Sequence, residues 1–295
     1  MAGVVLCEPF ELYNLLNQRC CVSRLAEVNY LCLIDAREIQ DYRINHIITA
    51  KNIKTNAEGT FLPPEAVEVD SMQHIVVYDS STSCLQEQGR ALGCALMLAE
   101  ASLYPVRIVR GGFQRFSAIY TFLRTEKILY TITELEDLKA YPVEVLAGLM
   151  YMGDQKQYGD VGILKDLKIS AVISISETDA LEPSKTNQTV LNIPVADSVD
   201  SDLYSWFDRL CSFIDSHIST GSRVMIVSKQ GTSRCSAATI AFLMHHLKYT
   251  LEEAWRQTLK CKPSMRPNTG FLQQLSEWEL HTKGTKVTDI SKSLF

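Results

Sequence analysis

The chain has 295 residues, a length that predicts about two domains, each large enough to bury its own core. Hydrophobic residues make up 46% of the chain and charged residues 21%, a composition that excludes collagen-like and low-complexity proteins. The 29 Lys and Arg residues against 34 Asp and Glu residues give a net charge of −5, which argues against a broad electrostatic surface for nucleic acid.

The cysteines and the start of the chain bear on the cellular compartment. The 9 cysteines are odd in number and form no C-x-x-C pair, so we interpret them as reduced intracellular thiols, with neither a disulfide framework nor a metal site. No apolar run approaches the roughly 18–20 residues that span a bilayer, and no basic targeting segment opens the chain. We therefore predict a soluble cytoplasmic protein without membrane contact, and leave open another intracellular compartment such as the mitochondrion.

The first half of the chain alternates apolar runs, typical of strands buried on both faces, with helical patterns. This alternation predicts a parallel-rich α/β domain over residues 10–125. A charged segment then precedes Pro142, and we interpret residues 126–140 as a linker. The predicted strands lie at 30–34, 74–78 and 106–109, and the predicted helices at 86–100 and 113–122.

The second half repeats the alternation and predicts a second α/β domain over residues 141–283. Thr250 and Glu253 form a capping-box pattern ahead of one of its helices. The remaining residues, 284–295, are predicted to form a polar, unstructured tail. The predicted strands of this half lie at 171–175, 192–195 and 224–227, and its other clear helices at 203–218 and 269–280.

The most informative stretch is a short loop between a predicted strand and a long apolar helix. Backbone N–H groups of such a loop can surround a phosphate, and the positive end of the helix dipole faces the same place. Gly231 allows a close backbone approach, and Arg234 can offer two donors to phosphate oxygens. An ordinary strand-to-helix turn with a surface arginine is the alternative interpretation. The predicted phosphate-binding residues are Ser228, Lys229, Gln230, Gly231, Thr232, Ser233 and Arg234.

The same loop resembles the H-C-x-x-G-x-x-R signature of the dual-specificity protein phosphatases. The resemblance extends across residues 141–279. Residues 145–153 are similar to the opening strand of that family, residues 193–197 to the segment with the general acid, and residues 266–275 to the closing helix. The resemblance implies a dual-specificity-phosphatase-like fold for the second domain.

Two departures from the family pattern decide the predicted function. The nucleophilic cysteine of the family falls on Ser228, and the histidine before it falls on Val227. The family's reaction needs a thiolate, whose pKa a helix N-terminus and cationic neighbours lower to about 3.5–7.5, whereas a serine hydroxyl stays protonated at neutral pH. Asp197 keeps the general-acid position, or simply forms a turn, but an acid has no role when no attack occurs. We therefore predict no catalytic residue, no enzyme activity and no cofactor.

The first domain resembles a rhodanese or Cdc25-homology domain. The resemblance rests on motifs at 33–38, 46–53, 75–79 and 109–116. In active sulfurtransferases a cysteine follows the central strand directly. Asp79 stands at that position in this chain, so the resemblance implies a catalytically inactive domain.

Cys84 and Arg90 have the six-residue spacing that a Cdc25-type phosphatase uses in this fold. However, Cys84 does not follow the strand end directly, and Glu87 would place a negative charge where a phosphate should bind. We therefore interpret Cys84 as the start of a helix with Arg90 on its surface.

An inactive rhodanese-like half before a dual-specificity half is the arrangement of the MAP-kinase phosphatases, whose first half docks on kinases through an arginine-rich patch. The corresponding stretch here has only Lys51 and Lys54, so the implied docking is weak. We predict a pseudophosphatase that binds phosphorylated proteins, protein kinases or active phosphatases and modulates signalling by scaffolding or shielding. Two alternatives stay open: a weak protein phosphatase that uses Ser228 or Cys84, and a protein in which the rhodanese-like half alone is the interaction module.

Overall fold

The computed structural model describes residues 3–19, 22–64, 67–129, 131–177 and 188–295, so Cys20 and Cys21 lie outside the described residues. The chain forms two compact units, residues 1–140 and 141–295. No helix in the described ranges is long and apolar enough to cross a membrane. The same ranges contain no group of three or more His, Cys, Asp or Glu residues that could hold a metal ion.

The first unit is an α/β structure whose first strand begins at Val4, before the predicted domain start at residue 10. Its strands are Val4–Cys7 (β1), Leu31–Asp35 (β2), His46–Ile47 (β3), Lys51–Asn52 (β4), His74–Tyr78 (β5), Val106–Val109 (β6) and Arg124–Thr125 (β7). Its helices are Pro9–Leu16 (α1), Ile39–Ile44 (α2), Arg90–Ala99 (α3), Gly112–Ile119 (α4) and Ile132–Glu136 (α5).

The main sheet of this unit is parallel throughout and has the strand order β1-β6-β5-β2-β4. Alternate residues of the central strand β5 point to opposite faces, so Ile75 and Val77 pack in one cluster with the apolar face of α3, including Ala95 and Leu98. The predicted linker, 126–140, belongs to this unit and contains α5, which Thr131 caps by accepting the N–H of Glu134.

The second unit is also an α/β structure, with helices on a mostly parallel sheet. Its strands are Val143–Leu146 (β8), Met150–Asp154 (β9), Ile169–Ile175 (β10), Thr189–Ile193 (β11) and Arg223–Ser228 (β12). Its helices are Gln155–Gly159 (α6), Val161–Asp166 (α7), Phe207–Ile218 (α8), Arg234–His246 (α9), Leu251–Cys261 (α10) and Thr269–Lys283 (α11).

The sheet of the second unit has the order β11-β10-β12-β9-β8, in which only β8 is antiparallel to its neighbour. Helix α9 follows the central strand β12 and is buried from Arg234 to Met244, which explains why its sequence is apolar on every side. Thr250 caps α10 through the predicted capping box with Glu253. Strand β11 ends at Ile193, two residues before the predicted end.

The segment 284–295 differs from the predicted polar tail, because it packs on the second unit. Its apolar residues Leu294 and Phe295 contact the core, and the Phe295 ring lies 5.0 Å from the Trp255 ring. The segment is fastened at the buried carboxylate of Glu279, which accepts the N–H groups of Val287 and Thr288, each at 2.9 Å. A composition-based prediction misses this arrangement, since the fastening side chain belongs to α11 and not to the segment.

Glu279 is expected to be a strong determinant of the stability of the second unit. Besides the two bonds above, its carboxylate accepts the Leu251 N–H at 2.8 Å and the Thr288 hydroxyl at 2.7 Å. Glu279→Gln should lower the free energy of unfolding by about 2–4 kcal/mol, because buried N–H groups lose their charged acceptor. Urea unfolding measures this loss, and Glu277→Gln on the exposed side of the same helix should change stability by less than about 0.5 kcal/mol.

The contribution of Glu279 should also depend on pH. Burial opposes its ionisation, but the four hydrogen bonds outweigh this effect and lower its pKa. A group with a lowered folded-state pKa stabilises the fold fully above its unfolded pKa, near 4.3, and loses that contribution as pH falls through the folded value. The stability difference between the unaltered chain and Glu279→Gln should therefore shrink in acid. A constant difference from neutral pH down to strong acid would contradict this account.

Candidate functional site

The predicted phosphate-binding residues lie together at the carboxyl end of β12, in the middle of the sheet. The strand ends at the buried Ser228, and α9 begins at Arg234. Gly231 has a φ of +68°, and a Cβ there would lie 3.0 Å from the backbone carbonyl of Gly153 at the end of β9. Only glycine fits this turn without strain, because both the left-handed backbone and the close approach disfavour a side chain.

The backbone N–H groups of residues 229–233 donate to no other group in the described chain. They adjoin the N-terminus of α9, a thirteen-residue helix whose dipole places partial positive charge at the same end. Unpaired N–H groups at a helix N-terminus are suited to an anion with several acceptor oxygens. The 228–234 loop therefore has the donors that a phosphate group needs.

Arg234 adds a charged donor to this loop. Its side chain is buried, and its Nη1 donates to the Val195 carbonyl at 3.0 Å, which fixes the guanidinium in place. Its Nε is buried and has no hydrogen-bond partner within the described residues; the Asp197 carboxylate is 4.0 Å away. Buried charged donors almost always have an acceptor. An anion from outside the chain would supply the acceptor that the Nε of Arg234 lacks among the described residues.

Asp197 is held against the loop and the start of α11. Its Oδ1 accepts the Ser233 hydroxyl at 2.6 Å and the Asn268 Nδ2 at 3.0 Å. Asn268 also caps α11, because its Oδ1 accepts the Phe271 N–H at 2.9 Å. From the sequence, Asp197 and Ser233 were predicted as separate site residues, and Asn268 was missed. The contact between Asn268 and Asp197 joins residues 71 positions apart, so no local sequence pattern predicts it.

Val227 and Ser228 do not supply the chemistry of an activated nucleophile. Val227 is fully buried in β12 between Gly153 of β9 and Ser174 of β10. The Ser228 hydroxyl lies beside the Cys235 thiol, and no histidine or carboxylate bonds to it among the described side chains. Burial raises the pKa of the neighbouring Cys235 thiol, and a protonated buried thiol is inert.

Asp79 in the first unit has a structural role. One of its carboxylate oxygens accepts the N–H groups of Ser81 and Thr82, and the other accepts the Thr82 hydroxyl and the Ala91 N–H, at 2.7–3.1 Å. Burial opposes its ionisation, but these bonds outweigh burial and lower the pKa of Asp79. The carboxylate thus occupies the N-terminal end of α3, where an external anion would otherwise bind.

The prediction that Cys84 opens a helix is wrong. Helix α3 begins at Arg90, and its N-cap is Gly89. Its first turn is fixed by Asp79, while the residues around Cys84 form a separate turn in which Glu87 accepts the Ser83 N–H at 3.1 Å. Arg90 also does not extend freely from the surface, since its Nε donates to the Ala36 carbonyl at 2.6 Å.

Comparison with known families assigns each unit to a class of domain. Residues 11–119 match the rhodanese-like domain, and residues 150–281 match the catalytic domain of dual specificity phosphatases. The chain therefore combines a rhodanese-like domain, built on a parallel sheet, with a dual-specificity-phosphatase-like domain, and the predicted fold class is confirmed.

Individual relatives are similar to this chain at low identity. The chain is 26% identical over 273 residues to human dual specificity protein phosphatase 16. This alignment covers 85% of this chain but only 41% of the relative. It is 24% identical over 289 residues to rat dual specificity protein phosphatase 1, covering 84% of this chain and 77% of the relative. The chain thus spans about two fifths of the length of the first of these relatives.

Solved structures are similar to about half of this chain. The crystal structure of DUSP15 is 27% identical with a TM-score of 0.46, and the match covers 48% of this chain and 90% of that one. The human tyrosine phosphatase-like serine/threonine/tyrosine-interacting protein is 22% identical with a TM-score of 0.42, covering 47% of this chain and 95% of that one.

Proposed function

We propose that this protein is a pseudophosphatase that binds phosphorylated proteins without cleaving the phosphate. The single observation that carries the proposal concerns the donors at the 228–234 loop. The buried Nε of Arg234 has no hydrogen-bond partner among the described residues, and it adjoins loop N–H groups that donate to no other described group. These donors suit a phosphate group, since Arg and backbone N–H groups form strong charge-assisted bonds with its oxygens. The proposal is further supported by the match of residues 150–281 to a phosphatase domain.

The absence of cleavage follows from the side chain at the end of β12. Phosphoryl transfer to a protein nucleophile needs an anionic sulfur or a base-activated oxygen. Among the described side chains, no histidine, carboxylate or cation bonds to the Ser228 hydroxyl, which lies beside the Cys235 thiol, and Val227 has no titratable group. Asp197 could donate a proton to a leaving group, but this contribution is of no use before an attack occurs. A bound phosphorylated side chain would therefore leave the site unchanged.

The biological role we propose is modulation of signalling by scaffolding or shielding. Degenerate residues at the active positions of both domains, Asp79 and Ser228, resemble the pattern of the serine/threonine/tyrosine-interacting-like pseudophosphatases. A protein of this kind binds phosphoproteins, protein kinases or active phosphatases and withholds a phosphorylated side chain from other enzymes. Docking on kinases through Lys51 and Lys54 is a weak contribution in this proposal, because the stretch lacks the arginines of the related phosphatases.

The test is calorimetric titration of the full chain with a phosphorylated peptide and its unphosphorylated twin. We expect binding of the phosphorylated peptide only, with the peptide recovered intact after prolonged incubation. Equal affinity for both peptides would show that the loop does not recognise phosphate and would overturn the proposal.

A further inference from the structure

A cavity of about 640 Å³ opens on the surface of the first unit. Most of its wall comes from four stretches of chain, 25–28, 31–33, 67–72 and 129–135, of which the last includes most of α5. Small-molecule sites in proteins have volumes of about 300–1,000 Å³. The cavity is therefore large enough for an organic ligand.

The wall of this cavity is mainly apolar. Its buried part includes Cys32, Leu33 and Met72. Its outer part includes Val28, which is 87% exposed, and Ile132, which is 56% exposed. Exposed apolar side chains around a concave surface are typical of ligand sites. The wall thus favours a ligand with a hydrocarbon part.

Two hydrogen-bond donors line the same cavity without a partner in the described ranges. The Thr49 hydroxyl donates to no group there, and the Lys51 ammonium forms no ion pair there. Burial raises the pKa of the Cys32 thiol to about 11, and the positive charge of Lys51 opposes this effect. The Lys51 ammonium is therefore close enough to act on the buried part of the wall.

The backbone of Thr49 is strained. Its φ is +69°, in the left-handed region that a β-branched residue rarely adopts. Residues held in such conformations cluster at sites that bind ligands. The strained residue and the Lys51 ammonium thus mark one side of the cavity as the place for a polar group.

Two acidic side chains on the wall limit where an anion can bind. The Glu27 carboxylate is paired with Arg24 at 2.8 Å. Glu68 is exposed and forms no ion pair in the described part of the chain. Because like charges repel, an anionic group should bind at Lys51 and Thr49 and point away from Glu68.

We infer that this cavity binds an apolar carboxylic acid, with its hydrocarbon part on the apolar wall and its carboxylate on Lys51 and Thr49. Carboxylate oxygens accept both a charge-assisted bond from the ammonium and a bond from the hydroxyl. Leu129 and Leu135 belong to the wall, so the bound acid would also stabilise the segment around α5. The inference does not depend on the proposed function, because every residue it uses belongs to the first unit.

The first experiment compares three ligands of equal chain length by calorimetric titration of the full chain. Decanoate should bind about tenfold more tightly than decanol, which is the effect of roughly one charge-assisted hydrogen bond. Decylamine should bind no more tightly than decanol, because its ammonium meets the charge of Lys51.

Substitutions identify the side chain that recognises the carboxylate. Lys51→Met should lower the affinity for decanoate to that for decanol. Lys54→Met is the matched control, because Lys54 is exposed, lies three residues away and does not line the cavity. Arg234→Ala should leave decanoate binding unchanged, since Arg234 belongs to the second unit. Thermal melts establish that each variant is folded.

Protection of Cys32 locates the bound acid in the unaltered chain. A small thiol reagent, methyl methanethiosulfonate, is applied with and without decanoate, and the labelled cysteines are identified by mass spectrometry. At ten times the Kd, about nine tenths of the cavity should be occupied, so labelling of Cys32 should slow about tenfold. Labelling of Cys84, which does not line the cavity, should stay the same.

Three results would overturn the inference: decanol or decylamine binding as tightly as decanoate, an equal loss of affinity in Lys51→Met and Lys54→Met, or Cys32 labelling that decanoate does not slow. The labelling experiment needs no variant, so it decides the question even if Lys51→Met fails to fold. None of these results bears on phosphate binding by the 228–234 loop.

Discussion

Replacing Arg234 by alanine should weaken phosphopeptide binding by at least about 100-fold. The guanidinium is fixed through Nη1 on the Val195 carbonyl, and its buried Nε, next to the loop, has no hydrogen-bond partner among the described residues. Each hydrogen bond to a charged group contributes about 1.5–3 kcal/mol, so loss of two such bonds to a phosphate removes more than a factor of 100. Calorimetric titration with the peptide pair described above measures this loss.

Two further variants make the Arg234 result specific. Arg234→Lys keeps the positive charge but loses the two-donor geometry, so we expect an intermediate loss of about tenfold. Arg256→Ala removes an exposed arginine from α10 and should leave affinity unchanged. If capture of phosphorylated partners survives Arg234→Ala in a folded protein, the partners bind elsewhere, and the rhodanese-like half becomes the interaction module.

The double substitution Val227→His with Ser228→Cys should create phosphatase activity, at least about 100-fold above that of the unaltered chain on an aryl phosphate. A cysteine at 228 would stand at the N-terminus of α9 and beside Arg234, two features that lower a thiol pKa and favour the thiolate. The loop donors and Asp197 would then serve a nucleophile that can attack phosphorus. Steady-state turnover, with unfolding curves for each variant, gives the answer.

Further variants separate the contributions of the individual residues to this phosphatase activity. Ser228→Cys alone should recover less activity than the pair, and Asp197→Asn added to the pair should lower its turnover. Val227 is fully buried between Gly153 and Ser174, so the histidine will cost some stability through its larger volume. Complete inactivity of a well-folded double variant would mean that the loop does not hold phosphate in a reactive position.

The parts of the site that are continuous in sequence could be predicted, and those assembled by packing could not. The 228–234 loop was evident because a buried strand, a glycine and an arginine follow one another before an apolar helix. The role of Asn268 was not evident, because its bond to Asp197 joins residues 71 positions apart. The start of α3 was predicted too early for the same reason, since the Asp79 carboxylate fixes that end from the preceding strand.

Composition is a poor guide to structure where a few polar contacts outweigh the average character of a segment. Residues 284–295 are rich in polar side chains, yet Glu279 and the Trp255 ring hold them on the second unit. Strand β1, near the N-terminal end of the chain, was not predicted from the sequence. It has only four residues, Val4–Cys7, and pairs with a single strand, β6. Short edge strands gain their definition from the sheet and carry little signal of their own.

The central claim is that the site binds phosphate and does not cleave it, and turnover of an aryl phosphate by the unaltered protein tests this most directly. We expect no release of product above the rate in buffer, and no change when Ser228 is replaced by alanine or Cys84 by serine. Measurable hydrolysis that Ser228→Ala or Cys84→Ser abolishes would contradict the account and identify the protein as a phosphatase.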